Sequence, residues 1–339
     1  MNCLFAFSLF AAALPSWIRL PSWIRLPSSI SQSALYPAGP EAAMPYYLWN
    51  MFAWLFGILW VIIVCFMTIG LLRSGHATRI SERAGERAVA TGAGFTVVIL
   101  FALIIMSSAI AREISIVQSQ PNELKVRVTG HQWWWEFQYQ DDPPDHLLTT
   151  ANELHIPIGR PVRMEVRSGD VIHSFWVPSL SPKIDAIPDH FNEIVFQANQ
   201  VGTYRGQCAE FCGLQHAHMG FLVVAETPAV FQNWLNHQLE PSQESLSTEE
   251  QQGRHVFLSS PCVVCHTVRG TSAFGGTAPD LTHLASRTTI GAALLSNTPG
   301  NLSGWITDSQ RVKPGTQMPP IDIASQDMQP LLSYLDALK

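Results

Sequence analysis

The chain has 339 residues and a formal net charge of −6, with 14% charged and 47% apolar residues. This length is enough for two or three domains, and the positive mean hydropathy suggests a soluble protein with a membrane portion attached. The sequence has no block of basic residues, which makes nucleic acid an unlikely partner. Four of the six cysteines lie in two short motifs described below, so no disulfide framework is implied.

Residues 1–31 are predicted to be a leader. The apolar run Cys3–Leu14 is followed by two copies of the sequence PSWIRL, a local duplication to which we assign no function. Ser29 and Ser31 put small residues at the positions that signal peptidase requires, which predicts cleavage before Gln32. The arginines follow the apolar run instead of preceding it, which is unusual for a signal peptide.

Two uncharged segments predict a transmembrane hairpin within residues 32–121. Leu48–Leu72 has 25 residues without a charge and Ala88–Ile110 has 23, and each is long enough to span a bilayer as a helix. By the positive-inside rule the connecting loop is cytoplasmic and both termini lie outside, because the loop carries four arginines, Arg73, Arg79, Arg83 and Arg87. Glu86, before the second span, is interpreted as a solvated residue at a helix end.

Residues 122–239 contain short β-type runs with turn signals between them. Seven or more short strands are typical of a β-sandwich. The predicted strands are Leu124–Thr129, Glu153–Ile158, Val162–Val166, His173–Val177, Asn192–Phe196, Thr203–Gly206 and Gly220–Ala225. A predicted helix, Thr227–Leu239, closes this region.

The segment CAEFCGLQHAHM, Cys208–Met219, carries two thiols, an imidazole and a thioether within twelve positions. Copper favours soft sulfur and imidazole ligands. A single copper of the blue type needs only one cysteine, whereas two thiolates can bridge two copper ions and remove two of about three positive charges. Such a pair transfers electrons with little rearrangement. It needs a second imidazole, and His173 in the segment DVIHSFWVPSL is the candidate.

Other interpretations of the cysteine pair remain open on spacing alone. Two cysteines in a chain of this length are usually buried small hydrophobes or a disulfide. The full twelve-residue pattern together with the distant His173 is far more restrictive, and it favours copper. His218 lies inside the motif and is interpreted as a surface residue or a neighbour of the ligands.

The two segments together resemble subunit II of cytochrome c oxidase, including its full copper A motif. The resemblance implies a cupredoxin-like fold for the sandwich. It also implies a binuclear copper A centre in which Cys208 and Cys212 bridge, His173 and His216 bind one copper each, and Met219 is a weak axial ligand.

The same resemblance implies roles for residues around the copper site. Glu210 would bind copper through its backbone carbonyl and Mg²⁺, shared with the catalytic subunit, through its carboxylate, a suitable ligand for that hard cation. Lys183 and Asp185 match positions that lie toward the catalytic subunit. Trp133, the first tryptophan of GHQWWWEFQY, matches the exposed point of electron entry, whereas strand packing accounts for the other two.

Residues 240–246 are predicted to be a flexible polar linker, and residues 247–339 a separate all-α module. Ser247 and Glu250 fit a capping box that opens a helix. This helix leads to C-x-x-C-H, the c-type haem attachment signature, formed by Cys262, Cys265 and His266. A redox or zinc C-x-x-C is the alternative, and the adjacent histidine and the exported location argue against it.

An electron-transfer haem needs a sixth ligand, and methionine is common because it raises the potential. Met318, in KPGTQMPP, follows His266 by 52 residues and resembles the methionine loop of small bacterial cytochromes c. The resemblance also implies that the carbonyl of Pro279 accepts the ring proton of His266. Met328 lies in a predicted terminal helix, Ser325–Leu338, and is assigned to the core.

The sequence as a whole resembles subunit II of a caa-type haem-copper oxidase: a transmembrane hairpin, a cupredoxin-like sandwich and a cytochrome c domain. The resemblance implies a bacterial cytoplasmic-membrane location with both metal domains outside. Electrons from a cytochrome bc complex or a small soluble carrier would pass through haem c and copper A to subunit I. There, alongside subunit III, O₂ would be reduced to water and protons pumped, with no oxygen chemistry in this chain.

Two other functions remain open. One is the copper-A-containing inlet subunit of a nitric-oxide reductase, and the other is a membrane-anchored electron carrier without a fixed enzyme partner. Glu210 favours the oxidase, because a free carrier needs no bridging Mg²⁺. A quinol oxidase subunit II is disfavoured, since that branch lacks the copper ligands.

Overall fold

The structure is a computed structural model that describes residues 30–73, 81–115, 122–140, 148–242 and 247–339. The proposed leader up to residue 29, the loop segment 74–80 with Arg79, and the linker segment 243–246 lie outside the described residues. The first described residues, β1 (Ile30–Ser31), pair in parallel with a strand of the sandwich described below.

Two long apolar helices follow, α1 (Pro40–Leu72) and α2 (Glu82–Ser115). Both extend beyond the uncharged segments, and the carboxylate of Glu41, in the first turn of α1, accepts a hydrogen bond from the backbone N–H of Gln197. The segments Pro40–Leu72 and Glu82–Arg112 are long and apolar enough to cross a membrane, and their most apolar windows are not buried against the rest of the described chain. Apolar surface of this extent is typical of a membrane or interaction site.

A sandwich of two sheets forms the centre of the molecule. One sheet has the strand order β4-β3-β2-β6-β9, and the other has the order β5-β11-β10-β7-β8 with β1 beside β10. The strands are β2 (Leu124–His131), β3 (Trp134–Tyr139), β4 (Leu148–Ala151), β5 (Glu153–Pro157), β6 (Val162–Ser168), β7 (His173–Trp176), β8 (Ile184–Ala186), β9 (Asn192–Phe196), β10 (Gly202–Cys208) and β11 (Gly220–Glu226).

The predicted β-sandwich is therefore confirmed, and each of the seven predicted strands lies within an observed strand or overlaps it closely. The strands β1, β3, β4 and β8 were not among those predicted. Of these, β3 lies in the aromatic run GHQWWWEFQY. Its side chains alternate between half-buried and buried, as expected for a strand with one face toward the core. The other three have only two to four residues, too few for a periodic signal.

An aromatic cluster lies between the two sheets, next to the start of β7. Trp135 and Phe137 come from β3, whereas Phe175 and Phe221 come from β7 and β11 of the other sheet, and all four are fully buried. The rings of Phe175 and Phe221 stack at 4.7 Å, and Trp135 meets Phe221 edge-on at 5.6 Å. The ring of Trp135 also contacts His173 at 5.9 Å, so the core directly supports the imidazole at the start of β7.

The remaining elements begin with α3 (Pro228–Leu239), which packs on the sandwich. The C-terminal module, residues 247–339, opens at α4 (Thr248–Ser259), where the predicted capping box of Ser247 and Glu250 is present. It continues with α5 (Cys262–Cys265), the two-residue strand pairs β12 (Thr267–Val268) with β13 (Ala273–Phe274) and β14 (Thr289–Ile290) with β15 (Leu295–Ser296), α6 (Pro299–Thr307), α7 (Ser309–Val312) and α8 (Ser325–Ala337).

The close approach of the neighbouring strands β10 and β11 predicts a strong effect at Gly206. A Cβ atom at this buried position would lie 2.1 Å from Cζ of Phe221, which is its cross-strand partner. We expect Gly206→Ala to lower the free energy of unfolding by about 1–3 kcal/mol through overpacking. Thermal unfolding of the full chain measures this change.

Gly202→Ala, on the same strand, is the matched control. Its Cβ atom would find its nearest neighbour at 3.6 Å, an ordinary contact with Tyr204. Equal melting temperatures for the two variants would contradict this description of the core.

Candidate metal centre and cofactor cavity

Two buried thiols lie at the end of the sandwich where β10 leads into the loop before β11. Sγ of Cys208, the last residue of β10, is 3.7 Å from Sγ of Cys212. Antiparallel pairing of β10 with β7 brings the start of β7 alongside, so Nδ1 of His173 is 3.9 Å from Sγ of Cys208. These three side chains are buried and present their ligand atoms within 4.8 Å of one another.

The loop between β10 and β11 supplies further donors around Cys212. Nδ1 of His216 lies 3.6 Å and Sδ of Met219 lies 3.8 Å from its sulfur atom. On the other side of the pair, the backbone carbonyl oxygen of Glu210 is 3.2 Å from Sγ of Cys208. All six residues that the sequence singled out for copper are therefore adjacent. His218, which is exposed, pairs with Gln215 at 2.8 Å instead.

The chemistry of this donor set fits copper. The Cys208–Cys212 contact stabilises one thiolate and disfavours the second, so it lowers the pKa of the Cys208 thiol and raises the pKa of the Cys212 thiol. Two thiolates at this distance repel each other unless cations lie between them. Two thiols, two imidazoles and a thioether are the ligand types that copper prefers, and a pair of copper ions would neutralise both thiolates.

His173 is oriented by a carboxylate that the sequence analysis did not single out. Its Nε2 lies 2.7 Å from Oδ1 of Asp170, which leaves Nδ1 directed toward the thiols. Burial lowers the pKa of His173, but the hydrogen bonds and charge interactions with Asp170 and Cys208 together outweigh it, so the net pKa is raised. Asp170 itself accepts hydrogen bonds from the backbone N–H groups of Gln132 and Val171, each at 2.6 Å. A carboxylate that fixes a ligand histidine is a common feature of metal sites.

The cysteine loop is also held from the β2–β3 connection. The side-chain amide of Gln132 and the indole N–H of Trp133 both donate to the carbonyl oxygen of Cys212, at 2.8 and 3.0 Å. This pair of hydrogen bonds fixes the backbone at one of the two sulfur-bearing residues. Trp133 therefore touches the copper candidate site directly.

The expected exposure of Trp133 is wrong. Its side chain is only 7% exposed, because the C-terminal module covers it. A Cβ atom at Gly315 would lie 3.4 Å from Cη2 of the indole, so the loop before Met318 packs against the ring. Trp135 is fully buried, and Trp134 stacks on His131 at 4.5 Å, which agrees with packing for these two.

The carboxylate of Glu210 lies outside the thiol pocket. Oε2 is 3.3 Å from the ammonium group of Lys183, which is also 3.3 Å from Oδ1 of Asp185. All three side chains are about half-exposed. The residues that the resemblance directs toward a catalytic subunit therefore share one accessible surface patch.

A cavity of about 380 Å³ lies in the C-terminal module beside Trp133. Its lining includes both thiols of the C-x-x-C-H motif, His266 and Met318. The residues contributed by the sandwich are Gln132, Trp133, Trp134, Ala151 and Asn152. A largely apolar cavity of this size with a few convergent donors is typical of a cofactor site.

The orientation of His266 fits axial ligation of a haem. Its Nδ1 lies 2.7 Å from the carbonyl oxygen of Pro279, which leaves Nε2 as the free ring nitrogen. Burial lowers the pKa of His266, which keeps the ring neutral and its Nε2 lone pair available. Met318 lines the same cavity, whereas Met328 packs against the module core and is not among the lining residues.

Some functional candidates could be found from the sequence and others could not. Asp170 stands three positions before His173, a spacing that could have suggested an orienting carboxylate. Glu153 and Lys313, which join the two domains, carry no local signal because their partners lie more than a hundred positions away.

Comparisons with known proteins agree with the two sites. Residues 124–226 match the family model for the periplasmic domain of cytochrome c oxidase subunit II, and residues 250–339 match the cytochrome c model. The chain is 38% identical over 219 residues to cytochrome c oxidase subunit 2 of Alkalihalophilus pseudofirmus. It is 30% identical over 227 residues to that of Bacillus subtilis. Each alignment covers 64% of this chain and 62% of the relative.

Among solved structures, the chain is similar to the crystal structure of the periplasmic domain of subunit II of cytochrome oxidase (CoxB) of Bradyrhizobium japonicum. That match has 30% identity and a TM-score of 0.34, and it covers 36% of this chain and 96% of the CoxB chain. By contrast, the chain spans about 62% of the length of the two curated relatives from Alkalihalophilus pseudofirmus and Bacillus subtilis.

The contacts of Asp170 predict its effect on the metal site. Asp170→Asn removes the charge that orients His173, and we expect copper affinity to fall by about 10- to 100-fold. Competition with a copper chelator measures the affinity. Asp189→Asn is the matched control, since Asp189 is exposed and its positive φ of 57° suits asparagine. Equal affinities for both variants would show that Asp170 does not position the ligand.

Proposed function

We propose that the chain is the electron-entry subunit of a bacterial haem-copper oxidase, because residues 124–226 match the family model for the periplasmic domain of cytochrome c oxidase subunit II and residues 250–339 match the cytochrome c model. Electrons from a cytochrome bc complex or a small soluble carrier would enter at haem c and continue through copper A to subunit I, which would reduce O₂ to water and pump protons. One observation carries the proposal. Trp133 contacts both the five-donor thiol site and the C-x-x-C-H cavity.

The proposed copper ligands are Cys208, Cys212, His173, His216 and Met219, with the carbonyl of Glu210. Bound copper A supplies a redox centre that gains and loses one electron without bond chemistry. The protein's part is to hold these ligands still. His173 belongs to a strand and is oriented by Asp170, and the carbonyl of Cys212 is held by two hydrogen bonds. Ligands fixed in this way limit structural change during electron transfer.

In the C-terminal module we propose that Cys262 and Cys265 attach haem through thioethers, and that His266 and Met318 bind the iron. The hydrogen bond to Pro279 sets the direction of the His266 ring. The backbone of Met318, which lines the same cavity, is held because its carbonyl accepts from Ser309 Oγ at 2.6 Å and from Gln310 Nε2 at 2.9 Å. Hydrogen bonds thus position both residues that would bind the iron.

The patch of Glu210, Lys183 and Asp185 is proposed as part of the contact with subunit I, near which subunit III completes the complex. The exposed carboxylate of Glu210 would bind Mg²⁺ there, and its present partner is the Lys183 ammonium group. Exchanging a lysine for a divalent cation is chemically reasonable for a hard oxygen ligand. Assembly with subunit I would supply the remaining oxygen donors.

We further propose that α1 and α2 cross the cytoplasmic membrane with their connection in the cytoplasm. Arg73 follows α1, and Arg83 and Arg87 lie in the first turns of α2. Arginines at this end of the hairpin favour the cytoplasmic side. The sandwich and the C-terminal module then lie on the outer side of the membrane, where c-type haem and copper centres receive electrons from exported donors.

The test is the metal content and activity of the complex purified from its native membrane. We expect two copper ions and one covalent haem per chain. We also expect a seven-line copper hyperfine pattern in the electron paramagnetic resonance spectrum, because one unpaired electron is shared between two equivalent nuclei. The complex should consume O₂ when an external donor reduces its haem c.

Other outcomes separate the competing functions. A four-line, single-copper spectrum from fully loaded protein would contradict the binuclear assignment. Reduction of nitric oxide without O₂ consumption would indicate the inlet subunit of a nitric-oxide reductase. A chain that purifies with both cofactors but no catalytic subunit would indicate a free membrane-anchored carrier.

A further inference from the structure

The C-terminal module contacts the sandwich through a short β-hairpin, and no pattern in the sequence predicted this hairpin. We call residues Thr289–Ser296, which comprise β14, its turn and β15, the docking hairpin. The side chain of Glu153, on the sandwich strand β5, reaches the start of this hairpin and is only 3% exposed. A carboxylate buried to this degree is costly unless hydrogen bonds satisfy it.

Four donors of the C-terminal module satisfy Glu153. Its Oε1 accepts from the backbone N–H groups of Thr288 and Thr289, at 2.8 and 3.0 Å. The hydroxyl groups of the same two residues lie 2.6 and 3.2 Å from this oxygen. Hydrogen bonds to a charged acceptor are stronger than neutral ones. One side chain of the sandwich thus holds Thr289, the first residue of the docking hairpin, and Thr288, the residue before it.

The turn of the docking hairpin presents three successive carbonyl groups, and each accepts a hydrogen bond. Gly291 O accepts from the ammonium group of Lys313 at 3.2 Å, within the module. Ala292 O accepts from the N–H of Gly220 at 3.2 Å, and Ala293 O accepts from the guanidinium group of Arg205 at 2.9 Å. Gly220 and Arg205 belong to the sandwich, so the turn is bonded to both domains.

The backbone of this turn indicates that the sandwich holds it in place. Ala292 and Ala293 have φ values of 66° and 56°, in the left-handed region that non-glycine residues rarely adopt. Such conformations persist when surrounding contacts over-determine them. The donors from Gly220 and Arg205 are contacts of this kind.

Lys313, a residue of the C-terminal module, donates a hydrogen bond to the sandwich. It is 2% exposed, and its ammonium group donates to the carbonyl oxygen of Trp133 at 2.6 Å. Burial lowers the pKa of Lys313 to about 7, and either protonation state keeps the N–H donors that this contact needs. Next to it, Gln215 of the copper loop donates to the carbonyl oxygen of Pro314 at 2.8 Å. These two hydrogen bonds hold the loop 313–318, which ends at Met318, against Trp133.

We propose that Glu153 is the positioning residue that docks the C-terminal module on the sandwich through the docking hairpin, so that both domains together form the wall of the haem cavity. The inference rests on the proposed function for its electron-transfer readout. It goes further by identifying the partner surface of the module as the edge of the sandwich around Glu153 and Trp133. The distance between the two sites is then set by this contact and not by the flexible linker predicted at residues 240–246.

Amide hydrogen exchange and flash-induced electron transfer in the full chain, loaded with both cofactors in detergent, test the proposal. Glu153→Ala leaves the Thr288 and Thr289 donors without their acceptor. We expect exchange in residues 288–293 to rise by about tenfold or more. Transfer from haem to copper should slow by about tenfold or more as the module shifts. The optical spectra of both centres should be unchanged.

Three further variants make the outcome decisive. Glu153→Gln keeps a carbonyl acceptor and should restore much of the internal rate. Glu249→Ala, at an exposed glutamate of α4, should leave both measurements at their wild-type values. The double variant Thr288→Val with Thr289→Val weakens the same contact from the module side. It should slow transfer even if Glu153→Ala fails to accumulate with both cofactors.

An unchanged internal rate in Glu153→Ala and in the double valine variant would overturn the proposal, whatever the exchange data show. This failure differs from failure of the proposed function. If the wild-type chain binds only one copper ion or no covalent haem, the proposed function is wrong. If the wild-type chain transfers electrons and the docking variants match it, only the role of Glu153 is wrong.

Discussion

Two sulfur atoms held 3.7 Å apart in a buried loop are the constraint on which the functional end of this molecule depends. The two thiols cannot both become thiolates at this distance without nearby positive charge, so a doubly ionised pair requires cations. The sandwich enforces the distance. Cys208 is fixed at the end of β10, and Cys212 is fixed through its carbonyl by the side chains of Gln132 and Trp133. The ring of Trp135, in the aromatic cluster of the core, also packs against the imidazole of His173.

Trp133 connects this constraint to the second site. Its indole N–H bonds to Cys212, its ring packs against the loop at Gly315, and its carbonyl accepts from Lys313. A single residue thus contacts the thiol loop, the wall of the C-x-x-C-H cavity and the loop that carries Met318. Its burial follows directly from this position between two domains. An aromatic residue in such a place is held by contacts from both domains.

The sequence was a good guide to local chemistry. Short β-type runs with turn signals between them predicted seven strands, and the pattern of two thiols, two imidazoles and a thioether singled out donors that the fold brings together. It was a poor guide to contacts between distant segments. In the sequence, nothing distinguishes Glu153 from the other residues of its predicted strand. Its hydrogen-bond partners Thr288 and Thr289 lie 135 and 136 positions away. The buried state of Trp133 depends on the same interdomain packing, so the exposure expected from the resemblance was wrong.

The central claim is that the two cofactor sites communicate across a fixed contact. The most direct test is the rate of internal electron transfer in the wild-type chain after flash reduction of its haem, measured over a range of solvent viscosity and ionic strength. A docked module predicts a rate independent of both. A module that must diffuse on a tether predicts a rate that falls as viscosity rises and changes with salt, since encounter then limits transfer. That second result would contradict the account.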